Sequence, residues 1–312
     1  MEETLLIAIG GNALLADSGR NGAIEESANA LRTAEGIADV VQMGYRVLLT
    51  HGNGPQIGSQ LLRSERGSEV TYPLTLDLCV SMTQGEIGYL LQRSLQTALR
   101  SRGIDPLVVS LVTQVIVDPA DPSLARPTKP IGGTMTREAA ARQESEHGWT
   151  IVEDAPGEFR RSVASPRPLE VVELEVIRRC LNEHLIVIAA GGGGIPVVRM
   201  NGSVAGIEAV VDKDRVSALL ALALGIERFV IVTDVDGVFE HFGTGNQRPL
   251  GLLRLHQALT YLQRGEFGEG SMKPKMESAI EFIQKGGREV VITSIGCLKG
   301  ALEGRAGTRI IA

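Results

Sequence analysis

The sequence is short of cysteine, of basic charge and of long apolar runs. Cys79, Cys180 and Cys297 are odd in number, lie far apart and have neither a C-x-x-C spacing nor a paired histidine. This excludes a disulfide framework and a zinc site, and all three are expected as small buried hydrophobes. Thirty-one Lys and Arg against 37 Asp and Glu give a net charge of −6, so no global field draws the chain to nucleic acid or to an anionic membrane. The longest apolar runs, such as Leu5–Ile9 and Leu185–Ala190, fall far short of the roughly 20 residues that span a bilayer. Met1-Glu2-Glu3-Thr4 has no basic n-region and no small-residue cleavage site follows it, so cytoplasmic residence is expected. Neither a G-x-x-x-x-G-K-[ST] phosphate loop nor a G-x-S-x-G nucleophile elbow is present.

What the chain has is glycine: 37 of 312 residues, against 4% aromatics. A hydrophobic share of 43% with 22% charge is that of a folded globular chain, and the length suits one large or two medium domains. Leu5–Ile9 is a continuous apolar run ended by Gly10-Gly11-Asn12, as expected of a parallel strand buried on both faces. Leu31, Ala34, Ala38 and Val41 recur at helical spacing up to Gly44, and a second strand is expected at Tyr45–Thr50. A long helix from about Asp77 to Arg102, punctuated by Gly85, Gly88 and Gly103, leads to a strand at Pro106–Thr113. Strands at Leu185–Ala189, Phe229–Thr233 and Glu289–Thr293 alternate with helices near Glu170–Leu181, Lys213–Leu224 and Pro274–Gln284. The pattern is α/β around an open, mostly parallel sheet. Between Asp118 and Pro168 the rhythm breaks. Seven of the thirteen prolines fall there, too many for a central strand, so this stretch is expected to be an inserted subdomain of edge strands with a helix near Arg137–His147.

Gly10-Gly11-Asn12 and Gly52-Asn53-Gly54 each follow a strand and precede a helix, which places both at the carboxyl edge of the sheet, where ligands of open α/β sheets bind. Glycine there lets backbone N–H groups approach an anionic oxygen, although strand-to-helix turns use glycine for their own geometry as well. His51 beside the second loop is expected to support it by hydrogen bonding rather than to carry protons. Four glycines at 191–194 need a close approach to justify them, and a nucleotide or substrate would supply one. Asp212 is placed to cap the helix that opens with Lys213-Asp214, where a lysine opposes the helix dipole unless an anion compensates it. Lys275 follows Pro274, expected in the first position of its helix, and Lys129 sits between two prolines in a loop of the insert. Thr233-Asp234-Val235-Asp236 suits a turn, a magnesium site or a nucleotide-contacting edge, with metal ligation the lesser expectation because aspartates at strand ends are common turn formers. Gly52, Gly54 and Gly58 make only a loose dinucleotide match, because the charged Arg63–Glu69 stands where the next strand should be.

Taken together, Ile9-Gly-Gly-Asn-Ala, Thr50-His-Gly-Asn-Gly-Pro-Gln, Thr83-Gln-Gly-Glu, Pro127-Thr-Lys-Pro-Ile-Gly, Gly191-Gly-Gly-Gly, Val211-Asp-Lys-Asp, Thr233-Asp-Val-Asp and Gly270-Ser-Met-Lys-Pro-Lys resemble the carbamate kinases of the amino acid kinase superfamily, in order along essentially the whole chain. The resemblance implies a three-layer αβα sandwich and a homodimer. It also implies reversible transfer of a phosphoryl group between ATP and carbamate, giving ADP and carbamoyl phosphate, with ATP formation in the breakdown of arginine or a similar nitrogen compound. Residues 1–212 would form the lobe binding carbamate or carbamoyl phosphate and 213–312 the nucleotide lobe. By the same resemblance, Lys213 and Lys275 would stabilise the moving phosphoryl group, Asp214 would orient them, and Lys129 would reach onto the substrate from the insert. Gly10, Gly11, Asn12, Gly52, Asn53 and Gly54 would line the carbamoyl phosphate site, and Thr233, Asp234, Val235, Met272 and Pro274 the nucleotide site. Mg²⁺ would be held by nucleotide phosphates and water, without a protein cage. Two stretches depart from the family pattern, Phe239-Glu-His-Phe and Pro156-Gly-Glu-Phe.

Overall fold

In a computed structural model, residues 3–11, 22–105, 107–200, 202–268 and 270–312 are described. Eight strands form the central sheet. From one edge they are Leu252–Arg254, Thr308–Ile311, Glu289–Thr293, Arg228–Val232, Thr4–Ile9, Arg46–His51, Ile186–Ile188 and Val108–Ser110. Every neighbouring pair is parallel except Glu289–Thr293 with Thr308–Ile311.

The alternation of side chains across a strand explains the three layers. Leu5, Ile7 and Ile9 enter a core with Ala30, Ala34 and Ile37 of the helix Gly22–Gln42 and Leu91 and Leu95 of the helix Leu76–Arg100. Leu6 and Ala8 enter a second core on the other face, with Val216 and Leu220 of Lys213–Leu224 and Met276 and Ile280 of Met272–Gln284. Both faces of the sheet are covered, as the continuous apolar runs require.

Several local expectations need correction. Leu31 is 40% exposed, and the buried face of its helix is carried by Ala30, Ala34, Ile37 and Ala38 instead. Gly85 and Gly88 lie inside an unbroken helix. Gly88 is a contact point, since a Cβ there would stand 2.1 Å from Ser110 Oγ. The strand at Pro106–Thr113 is only Val108–Ser110, and Gln114–Val117 departs into a second sheet with Ser203–Gly206, Ile195–Met200 and Pro168–Val171. Glu170 therefore lies in a strand, and the helix begins at Leu174. The helix that follows Gly52-Asn53-Gly54 is a separate one, Gly54–Gly67, ending well before the long helix expected from about Asp77. Of the cysteines, Cys79 alone is buried, while Cys180 and Cys297 are partly exposed.

The proline-rich stretch carries an antiparallel sheet, ordered Lys129–Met135, Glu158–Val163, Thr150–Ala155, with the helix Arg137–His147. Pro130 sits on an edge strand, where a missing N–H leaves no gap in a ladder. Thr136 caps the helix through its side chain to Ala139 N, and Gly148 ends it in the left-handed region at φ 65°.

Candidate active site

The carboxyl ends of Thr4–Ile9, Arg46–His51 and Arg228–Val232 meet the N-terminal turns of two helices, Lys213–Leu224 and Met272–Gln284, around a cavity of about 310 Å³. Gly10, Gly11, Gly52, Asn53 and Gly54 line one side, Lys213, Asp214, Pro274 and Lys275 another, Thr233 and Asp234 a third, and Lys129 closes it from the insert. Asn12 lies outside the described residues. A narrower apolar slot of about 160 Å³ adjoins it, sharing Thr233, Asp234 and Ser271 and lined further by Val235, Phe239, Phe242, Phe267 and Met272. A larger cavity, about 790 Å³ between Gly54–Gly67 and the insert, holds none of the lysines or aspartates of this cluster, so charge rather than size identifies the site.

Five charged groups gather here. Asp212 accepts from the backbone N–H of Asp214 and Arg215, so it is the expected N-cap, and its other oxygen takes Lys129 Nζ at 3.0 Å. Burial alone would raise the Asp212 carboxyl; the Lys129 charge and hydrogen bond, Lys213 and the backbone donor of Arg215 overcome it and hold the group well below the usual carboxylate range. Asp214, buried in the first turn, accepts from Lys213 Nζ at 2.6 Å and faces Lys275 Nζ at 3.7 Å. A lysine at the start of a helix opposes its dipole, and Asp214 supplies the compensating charge. Lys275 is not where a first-position Pro274 would put it. The helix starts at Met272, so Pro274 is its third residue, still within the turn whose N–H groups have no intrahelical partner. Lys129 likewise opens an edge strand rather than riding on a loop.

The glycines serve two different ends. None of Gly10, Gly11, Gly52 and Gly54 is in the left-handed region, yet a Cβ on Gly52 would stand 2.7 Å from Gly11 N and 3.4 Å from Lys213 Cδ. Glycine at 52 lets the two loops touch. Gly192, Gly193 and Gly194 all have positive φ, and the close approaches there come from the protein: Asn53, the Val211 carbonyl and Val115. The run is thus a packing device, with only Gly192 reaching the cavity. Gln84 holds it in place, donating to the carbonyls of Gly191 and Thr113 and accepting from Thr113 N. Asn53 donates to Thr83 Oγ1 at 2.8 Å. His51 is fully buried, and its Nδ1 donates to the Gly52 carbonyl, as expected of a supporting residue. Burial, with Lys213 nearby, lowers its pKa to about 4 despite that hydrogen bond, so the ring is neutral at pH 7.

Asp212 as the partner of Lys129, and Gln84 as the brace of the glycine run, are the site residues that sequence reasoning did not single out for these parts. Asp236 is taken up by Ser294 and Cys297, whose hydrogen bonds lower its pKa, so of that motif's two aspartates Asp234 alone lines the cavity. Among the departures, Phe239 and Phe242 line the apolar slot, whereas Gly157 forms an exposed hairpin turn and Phe159 packs under Arg137.

Comparison with known proteins places these features in a family. The amino acid kinase family model matches residues 3–294. The carbamate kinase of Pyrococcus horikoshii is 41% identical over 99% of both chains, and that of Thermococcus kodakarensis 42% over 98% of both. The structure of Giardia lamblia carbamate kinase bound to AMP-PNP superposes with a TM-score of 0.91 at 37% identity, covering 99% of this chain and 98% of that one.

Proposed function

The chain belongs to the amino acid kinase family, and we propose from that premise that its cavity transfers a phosphoryl group between ATP and carbamate, giving ADP and carbamoyl phosphate. The observation that carries this reading is the convergence of Lys129, Lys213 and Lys275 on one cavity through the part-buried Asp212 and the buried Asp214. Phosphoryl transfer asks chiefly for alignment and charge neutralisation, and a carbamate oxygen is already anionic, so no general base is needed.

In this reading Gly10, Gly11, Asn12, Gly52, Asn53 and Gly54 hold carbamate or carbamoyl phosphate. Lys213 and Lys275 neutralise the transferring group, Asp214 fixes both ammonium groups, and Lys129 binds the substrate from the insert. The nucleotide lies over Thr233, Asp234 and Pro274 with its base in the slot of Val235 and Met272. The lobe division at residues 212 and 213 follows from these assignments. Mg²⁺ fits as an ion carried by nucleotide phosphates and water. Of the cavity's carboxylates, Asp212 and Asp214 hold lysines, and Asp234 also lines the wall. Bound there, the ion would offset charge on the nucleotide phosphates.

The reading extends to a cytoplasmic homodimer making ATP in nitrogen catabolism. No helix among the described residues is long and apolar enough to cross a membrane. Leu78, Met82 and Tyr89 form an exposed apolar stripe on one face of Leu76–Arg100, which supports a second copy as partner.

The test is a substrate panel: ADP and Mg²⁺ with carbamoyl phosphate, acetyl phosphate or acetylglutamyl phosphate, scored by ATP formed above the enzyme-free background. Preference for carbamoyl phosphate is expected. A preference for an acyl phosphate bearing a second carboxylate would reassign the acceptor, and nucleotide binding without turnover would make the protein a silent binding module.

A further inference from the structure

The insert is docked on the body by a third apolar cluster, separate from the two cores that flank the central sheet. Ile131 and Val163 from the insert meet Ile57 and Leu61 of Gly54–Gly67, Leu76, Cys79 and Val80 of the next helix, and Val210 just ahead of the Asp212 cap. Ile131 is its keystone for three reasons. It is 3% exposed and lies two residues after Lys129 on the same strand, so both point to the same side of the ladder. It is the last residue in register with the partner strand before the pairing slips, and Gly132 then turns at φ 74°. It lines both the reaction cavity and the larger cavity under the insert, and so forms part of the wall between them.

The neighbouring backbones leave little freedom. A Cβ on Gly58 would stand 2.4 Å from Gly132 Cα, so helix and strand touch directly beside Ile131. The side chain of Ile131 therefore locks the height of its strand against Ile57 and Val210, while Lys129 Nζ reaches Asp212 at 3.0 Å. Lys129 has a long flexible stem with several rotatable bonds, and a lysine ammonium is a point charge that works only where its backbone is held. Displacements of about 1 Å in a catalytic group cost of the order of a hundredfold in rate.

We infer that Ile131 is a positioning residue for Lys129: its burial in the docking cluster sets the Lys129 ammonium over the transferring group. This rests on the phosphoryl-transfer reading above and assigns a non-polar residue to that site.

The test is a double-mutant cycle on the full chain, with kcat and KM for carbamoyl phosphate and for ADP read separately and thermal unfolding as control. Ile131→Ala is expected to lower kcat/KM for carbamoyl phosphate about tenfold with the KM for ADP unchanged. On a Lys129→Ala background the same substitution is expected to change it less than twofold. Ile131→Val should recover most of the loss, and it carries the test, at a two- to threefold effect, if the alanine variant does not fold. Full additivity with Lys129→Ala, or an unchanged rate in Ile131→Ala, overturns the inference while leaving the role of Lys129 standing. An unchanged rate in Lys129→Ala itself overturns the role of Lys129 and the inference with it.

Discussion

Lys129 Nζ and Asp212 Oδ2 lie 3.0 Å apart, although one belongs to the insert and the other caps a helix of the central body. The pair ties a lysine of the insert to a helix terminus of the body, and the Asp212 carboxylate does two jobs with its two oxygens.

Replacing Asp212 by Asn separates those jobs. Asparagine caps helices as well as aspartate, so the unfolding midpoint should change little, but Lys129 loses its charge partner. A fall of roughly tenfold to a hundredfold in kcat/KM is expected, by the misplacement argument. Asp212→Ala should lose the cap as well, with about 1 kcal/mol of stability. Steady-state kinetics and urea unfolding on both variants check this; full activity in Asp212→Asn would remove the ion pair from the account.

Gly52→Ala places a methyl group 2.7 Å from Gly11 N and against the stem of Lys213. Overpacking of this kind costs about 1–3 kcal/mol, and here it also spreads the two loops expected to hold the substrate. Both the denaturant midpoint and the affinity for carbamoyl phosphate should fall. Gly54→Ala is the control, because a Cβ there meets nothing within 4 Å.

Phe242 stands 61% exposed at the slot that is read as the base site, tilted against Phe239 with ring centroids 6.0 Å apart. Phe242→Ala should leave stability within about 0.5 kcal/mol, as for other exposed positions. The KM for ADP should rise about five- to tenfold with that for carbamoyl phosphate unaffected. Initial-rate kinetics with each substrate varied in turn makes the distinction.

His51 gives the fold a defined acid limit. Its pKa of about 4 lies below the ordinary 6.5, so the unfolded chain binds the extra proton first as pH falls. Stability from this group is complete above pH 6.5 and is lost as pH drops toward 4, by on the order of 3 kcal/mol. Asp212 acts in a lower window, since its stabilisation fades only below its ordinary 3.8. Urea midpoints between pH 7 and 4.5 should decline in the wild type and flatten in His51→Gln.

Much of this was legible in the sequence because it rests on local physics. Glu289–Thr293, with Val290, Val291 and Ile292 as its apolar centre, is a strand to the residue, and Asp212 announces itself as a cap by preceding an apolar helix. The extent of the helix Gly54–Gly67 was hidden by its own opening glycine and by the charges of Arg63–Glu69, although Ile57 and Leu61 carry its buried face at four-residue spacing. Leu252–Arg254 and Thr308–Ile311, at three and four residues, are too short to show a period and are held by their neighbours in the sheet. The Lys129–Asp212 pair is a product of tertiary structure, and no local pattern carries it. Similarly, the glycine run at 191–194 looked like room for a ligand, whereas the tightest neighbours of 192–194 are protein atoms.

The central claim is that the lysines gathered around Asp212 and Asp214 stabilise the moving phosphoryl group. The most direct measurement is kcat for ATP formation from ADP, Mg²⁺ and carbamoyl phosphate in wild type and Lys275→Ala, alongside ADP affinity and thermal unfolding. The account predicts a loss of at least about a hundredfold in kcat, with fold and ADP binding retained, since removing a transition-state charge contact typically costs that much. A Lys275→Ala enzyme that turns over at near the wild-type rate would contradict it.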